Sequence, residues 1–242
     1  MCWSGIRPMV KKPAEMPAAV QAAALNAAEL RAELAALGDA EKASQMSAYM
    51  RDKFSFLGVP SPQRKMFARQ RLPKHKKNQA IDWNFVSQAW AAPEREMQYL
   101  ALAYLERNAS LLRPEHLDQL KALVVEKSWW DSIDSITHLV GIITLRSPET
   151  KAIVRAWSKD DNFWVRRTAI EHQLKHKDRT DQELLAETIL NNLGSNEFFI
   201  NKAIGWALRE YSKTNPVWVR AFIETHRGQL SNLSIREGGK YC

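Results

Sequence analysis

A period of 34 residues runs through the second half of the chain. Proline or its replacement opens a helical segment at Pro114, Pro148, Gln182 and Pro216, each 34 residues after the last. In "RPEH", "SPET" and "DQEL" a residue suited to the first helical turn is followed by an acid, Glu115, Glu149 or Glu183, near the positive end of the helix dipole. A second segment repeats within each unit. Trp130, Trp164 and Phe198 are 34 apart, as are Asn162 and Asn196, Ala169 and Ala203, and Ile170 and Ile204. A unit of two helices cannot bury its apolar face alone, so the units must stack in series, which constrains the chain to an α-solenoid with a concave surface. Tetratricopeptide repeats share the period, but their Trp, Leu-Gly, Tyr, Ala pattern is absent: no Gly follows Trp130, Trp164 or Phe198 at the required spacing. HEAT-like antiparallel pairs are expected.

The remainder reads the same way. Glycine is scarce, at 9 residues, alternating β-branched runs are missing, and apolar residues recur at spacings of three and four. The spacing predicts helices over Ala18 to Leu37, Glu41 to Phe56, Pro62 to Arg71, Ala80 to Ala91, Pro93 to Arg107 and Pro114 to Glu126. Short connections between them imply antiparallel neighbours, about six pairs in all. The expected organisation is a poorly ordered extension over residues 1–20 and one all-α domain over residues 21–242. No run of about 18 apolar residues exists to span a membrane, and "MCWSGIRPMVKKPAEMP" lacks the apolar core of a signal peptide. Cys2 and Cys242 are the only cysteines, which suits a reducing compartment and argues against a disulfide framework or a Cys-based metal site. A cytoplasmic location is expected.

A net charge of +8 draws a globular protein towards polyanions, although the basic tracts "KHKKN" and "KHKDR" also fit solvated loops. Aligning the repeats brings equivalent positions side by side. The ridge at i, i+4 and i+8 then reads Trp130, Asp134, His138; Trp164, Thr168, His172; and Phe198, Lys202, Trp206, with Arg167 beside Thr168. Large aromatics at a repeated position usually pack inside, and a lone His is usually structural; Asp, Lys and Arg are almost never fully buried unless paired. A ridge mixing Trp with Asp and Lys is therefore not an ordinary core seam.

The stretch "KSWWDSIDSI" divides in two. Ser128 and Asp131 match a capping box, Ser at N-cap and an acid at N3, and replacing Asp131 by Asn should cost on the order of 1 kcal/mol or less. Trp129 is assigned to packing. Asp134 has no such explanation: it is either a solvated-face carboxylate or is held beside Trp130 for a purpose. A cationic concave surface with exposed aromatics and one carboxylate suits a nucleic-acid backbone with a single reacting position. There the carboxylate can face a sugar gaining oxocarbenium character and orient the attacking water, and Arg167 is expected to keep it ionised by lowering its pKa. Lys202 as a Schiff-base nucleophile has only its position in its favour. No metal site is indicated: there is no His-x-x-x-His with a matching carboxylate, no Cys cluster and no Gly-rich phosphate loop.

In "SAYMRDKFSFLGVPSPQR", "PEREMQYLAL", "KSWWDSIDSI", "DNFWVRRTAI" and "NEFFINKAIGWALREYSKTNP", spanning roughly residues 30–240, the chain resembles the HEAT-like DNA alkylation repair glycosylases, the AlkD family. The resemblance implies a basic concave face that holds duplex DNA and hydrolysis of the N-glycosidic bond of N3- and N7-alkylated purines. It implies a monofunctional enzyme that leaves an abasic site without drawing the base into a pocket; together with the lack of a free apolar stripe it points to a monomer, and no cofactor is expected. The catalytic carboxylate of the family matches Asp134, its sugar-flanking tryptophans Trp130 and Trp206, its active-site arginine Arg167, with Arg166 as the adjacent alternative, and an accessory tyrosine Tyr49. Lys202, Trp164, His172 and Arg166 join Tyr49 as expected DNA contacts. Two other readings stay open: a noncatalytic solenoid for distorted or branched DNA, and a protein-binding scaffold.

Overall fold

The computed structural model describes residues 25–76 and 79–242; the proposed extension over 1–20 and the first part of the Ala18 to Leu37 helix lie outside them. Among the described residues there are thirteen α-helices and no strands, only an isolated bridge between Ser55 and Glu94. In chain order they are α1 (Ala27–Ala35), α2 (Ala40–Tyr49), α3 (Ser61–Arg71), α4 (Trp83–Ala91), α5 (Arg95–Arg107), α6 (Leu117–Val125) and α7 (Trp130–Arg146). The second half continues with α8 (Lys151–Trp157), α9 (Phe163–Glu171), α10 (Gln182–Leu190), α11 (Phe198–Ser212), α12 (Pro216–Thr225) and α13 (Asn232–Gly238). None is long and apolar enough to cross a membrane.

From α3 onward the odd-numbered helices contact one another in series, α3 to α5 to α7 to α9 to α11 to α13, and the even-numbered helices pack outside them. This is the α-solenoid expected from the repeat. The period reappears in the hydrogen bonds that tie neighbouring units. Trp90 Nε1 to the Glu126 carbonyl, Arg167 to Asp134, His176 to the Gly141 carbonyl, Asn192 to the Ser158 carbonyl and Lys202 to Glu237 join residues 33–36 apart. Each unit docks on the next through polar pairs as well as apolar area. The apolar share is large: Leu100, Leu105, Leu120, Ile133, Ile136, Leu139 and Val140 are fully buried, each worth roughly 1.5–3 kcal/mol of transfer free energy.

Local chemistry sets the boundaries. Asn26, Asp39, Asp82, Asn162, Asp181, Glu197, Asn215 and Ser231 each accept a backbone N–H at the start of a helix, satisfying donors that would otherwise be orphaned. The cap of α11 is Glu197, one residue after the Asn196 that the 34-residue offset pairs with the Asn162 cap of α9. The helix expected over Glu41 to Phe56 stops at Tyr49, because Arg51 and Asp52 adopt left-handed backbone (φ 57° and 54°) that no helix can continue. Pro114 and Pro148 open short 3₁₀ turns ahead of α6 and α8, whereas Pro216 is the first residue of α12. Glycine is required where the layers come closest. A Cβ on Gly205 would lie 2.7 Å from the Glu237 Cβ, and one on Gly141 2.1 Å from the His172 carbonyl oxygen, so α13 and the end of α9 approach α11 and α7 backbone to backbone.

Candidate active site

Helix α7 does not begin with a capping box. Its N-cap is Trp129, with no side-chain cap hydrogen bond, and Ser128 Oγ instead donates to the Val124 carbonyl at the end of α6 (2.6 Å). Asp131 has a different task. Arg95 of α5, fully buried, grips it with two hydrogen bonds, Nε to Oδ2 at 3.0 Å and Nη2 to Oδ1 at 2.7 Å, while the Tyr99 hydroxyl donates to Oδ2 at 2.6 Å. The same guanidinium donates to the Lys127 carbonyl and Ser132 Oγ. The cap assignment failed because an Arg one repeat earlier in sequence, 36 residues away, competes for the carboxylate with two aligned charge-assisted bonds, which are stronger than one backbone N–H.

Asp134, one turn after Trp130, is different. Its side chain is 35% exposed and its Oδ1 accepts one hydrogen bond, from Arg167 Nη2 at 2.9 Å. Arg167 is itself buried. It also donates through Nη1 to the Phe199 carbonyl (2.8 Å), and its guanidinium stands 5.4 Å from the Trp206 ring centre, a cation–π geometry. One α9 residue therefore links the α7 carboxylate to the α11 tryptophan. Burial pushes the Asp134 carboxyl above its ordinary range, and the positive charge and hydrogen bond of Arg167 offset this only in part; the lowering expected from the sequence is reversed because desolvation outweighs the single bond. Trp130 is half-buried and meets the largely exposed Tyr49 edge to face, ring centres 6.2 Å apart.

Trp164 and His172 do not face this site. Trp164 is buried in an aromatic cluster with Trp129, Phe163 and Phe199. His172 is buried at the far end of α9, its Nδ1 within 2.7 Å of the Ala169 carbonyl, and burial pushes it down to about 4. The 34-residue alignment placed the helices in line but not their rotation: α9 is flanked by α7 and α11, so its ridge positions fill the core, and Arg167, buried itself, reaches the site through its bond to Asp134. Arg166 points elsewhere, to Asn192 Oδ1 and the carbonyls of Asp160 and Asp161. Lys202 lies by the Trp206 ring (5.5 Å) and is paired with Glu237 at 3.0 Å, a carboxylate that also receives Arg209. His138, at the third ridge position of α7, is half-buried.

Two adjoining clefts meet at Tyr99, and one of them reaches Trp130. One, of about 460 Å³, is lined by Tyr49, Met50, Phe56, Arg64, Tyr99 and Trp130 among others. The second, of about 620 Å³, carries Arg64, Lys65, Arg69 and Arg107 with Glu106. Arg64, stacked on Tyr99 at 4.0 Å, and Ser135 belong to both. The sequence reading missed Arg95, Tyr99, Arg64, Glu171 and Arg209. Arg95 and Tyr99 are legible only through the repeat offset to Asp131, while Glu171 and Arg209 stand one turn after Arg167 and Trp206, a signal that was present. Among the described residues no three His, Cys, Asp or Glu side chains gather into a metal-binding group.

The geometry has relatives. The sequence pattern of a family described as DNA alkylation repair enzyme matches residues 30–242. A solved structure described as a predicted DNA alkylation repair enzyme from Enterococcus faecalis is 36% identical, with a TM-score of 0.75 over 84% of this chain and 96% of that one. AlkD2 from Streptococcus mutans shares the fold at 15% identity, with a TM-score of 0.53 over 89% and 96% of the two chains. A second structure, from Streptococcus mutans UA159, does so at 15% identity and a TM-score of 0.56 with the same coverage. No curated protein matches.

Proposed function

The chain belongs to the DNA alkylation repair enzyme family, and on that premise we propose that it is an alkylpurine DNA glycosylase, hydrolysing the bond between C1′ and the nitrogen of N3- or N7-alkylated purines in duplex DNA. The observation that carries this reading is the partly open Asp134 carboxylate, one turn after Trp130 on α7 and held by one bond to a buried Arg167 whose guanidinium also stands 5.4 Å from the Trp206 ring centre.

Alkylation at N3 or N7 makes the purine cationic. When the C1′–N bond breaks, its electron pair goes to the base, which leaves as a neutral molecule and needs no strong general acid. What remains is a cationic sugar and the delivery of water. Asp134 faces that charge as carboxylates do in glycoside hydrolysis, and it accepts the proton of the attacking water while the oxygen bonds to C1′. Its incomplete solvation favours a cation arriving at the free oxygen. The negative faces of Trp130 and Trp206 border the sugar, and Arg64, Lys65, Arg69 and Arg107 of the adjoining cleft neutralise backbone phosphate. The product is an abasic site on an unbroken strand. An open pair of clefts in place of a closed base pocket supports action without flipping the lesion, a departure from most base-modifying enzymes.

Release of 7-methylguanine from duplex DNA by the wild-type chain, lost in Asp134→Asn with DNA binding retained, is the expected result. Salt-sensitive binding with no base release by wild type would leave a noncatalytic DNA-binding module, and no salt-sensitive binding would leave a protein scaffold.

A further inference from the structure

Behind the groove, α9 carries a second acid one turn after Arg167. Glu171 is 1% exposed, and its Oε1 lies 3.0 Å from Arg167 Nη2, the nitrogen that donates to Asp134 Oδ1. The contact is close but not aligned as a hydrogen bond: among the described residues neither Glu171 oxygen accepts one, and Arg167 Nε is also buried without a partner. One guanidinium stands between two acids. The first is on the groove and the second is sealed in the interior.

A buried carboxylate without donors is strongly disfavoured as the anion and far less so as the neutral acid. Burial accordingly pushes Glu171 up to about 8, the charge of Arg167 pulling it back and that of Asp134 adding to the rise. Helices α6, α7, α8, α10 and α11 surround α9; of the charged groups they and α9 itself carry, Arg167 and Asp134 are the two that act on Glu171. In its neutral form Glu171 asks nothing of Arg167 beyond contact. In its ionised form it is the better-shielded of two anions competing for the same Nη2, because no water reaches it.

We propose, resting on the glycosylase reading of the groove, that Glu171 is a positioning residue: while protonated it leaves the Arg167 guanidinium to Asp134, and once its proton has gone to solvent it draws that guanidinium inward and loosens the groove carboxylate. Excision then carries an alkaline limb set by a residue that touches neither the DNA nor the water.

The test measures single-turnover release of 7-methylguanine between about pH 6 and 9 for wild type, Glu171→Gln and Glu171→Leu, each scaled to its own maximum. In parallel, the side-chain carboxyl carbons of Asp134 and Glu171 are titrated by NMR in the DNA-free protein. The wild-type rate should fall several-fold above about pH 8 while both variants stay level. The Asp134 carbon should respond as Glu171 ionises, and that response should vanish in Glu171→Gln. An alkaline limb unchanged in both variants, or a Glu171 carbon already ionised at the acid end, overturns the proposal. If wild type releases no base at any pH, the glycosylase reading fails, and the two carbon titrations alone decide whether Glu171 governs the Arg167–Asp134 contact.

Discussion

Helix α7 offers two carboxylates to two arginines, and the two pairs are built to opposite specifications. At Asp131 every polar group is used: Arg95 spends its guanidinium on both carboxylate oxygens, the Lys127 carbonyl and Ser132 Oγ, Tyr99 adds a hydroxyl, and the Phe54 ring covers the cation at 3.9 Å. At Asp134 the account is left open. One bond of 2.9 Å holds a side chain that is 35% exposed, Arg167 Nε has no partner, and Glu171 contributes proximity without a hydrogen bond. Saturated charge pairs join elements, whereas an unsaturated one retains free energy that a passing cation can collect. The residue types are identical, so it is saturation rather than composition that separates the structural joint from the pair we propose to be reactive.

The largest expected effect follows from the open pair. Asp134→Asn should lower excision by roughly a thousandfold or more, about 4 kcal/mol of barrier, with duplex affinity unchanged or tighter because a charge repelling phosphate has gone. Excision assays beside binding isotherms check this, and a variant that still turns over would make the two pairs alike. The closed pair predicts a loss of stability in place of activity. Asp131→Ala leaves Arg95 buried and uncompensated and should cost roughly 3–5 kcal/mol in urea unfolding, well above the 1 kcal/mol or less expected of a helix cap. A loss near the cap value would restore the cap and break the contrast.

The open pair should also weaken the fold at neutral pH, which turns the comparison into one of sign. Glu171 is raised to about 8 in the folded chain from an unfolded value near 4.3. Its contribution to stability is therefore complete below about pH 4.3 and is lost progressively as pH rises to about 8, because over that range the folded form binds a proton that the unfolded form has released. Wild type should fall relative to Glu171→Gln by up to about 5 kcal/mol across that window. Denaturant titrations of both proteins at several pH values read the difference directly; a gap independent of pH would mean that the acid is ionised throughout.

How far these differences were legible in sequence depends on which physical rule governs each residue. The 34-residue period announced the solenoid because stacking units must repeat both helix starts and packing positions, and Pro114, Pro148 and Pro216 do start turns or helices in phase. Asp134 and Arg167 stood out as charges on an apolar ridge. Trp164 and His172 shared that ridge and proved interior, since alignment by sequence offset fixes which helices are neighbours but not how each is rotated. Asp131 was misassigned for a related reason: a local rule, the capping box, was applied where a partner 36 residues away controlled the outcome. Glu171 stands one turn from Arg167, so its nearness to the arginine was legible, but its burial without donors has no signature in a spacing pattern.

The smallest effect is expected at the residue next to the arginine of the proposed site. Arg166 and Arg167 were alternatives for the arginine of the site, and a helix sends adjacent residues about 100° apart. Arg167 turns to Asp134 and the Trp206 ring, whereas Arg166 is spent on Asn192 Oδ1 and two carbonyls at the start of its own helix. Removing Arg167 should cost about a hundredfold in excision, in the range of a lost charge-stabilising donor. Removing Arg166 should change the rate by less than about threefold and leave the slope of binding against salt unchanged, since a guanidinium already bound to protein acceptors releases few counterions from DNA. Its cost belongs in unfolding, on the order of 1–2 kcal/mol for the acceptors left bare. A reduced salt slope in Arg166→Ala would place that side chain on the DNA and show that its bonds to Asn192 and the loop are given up on binding.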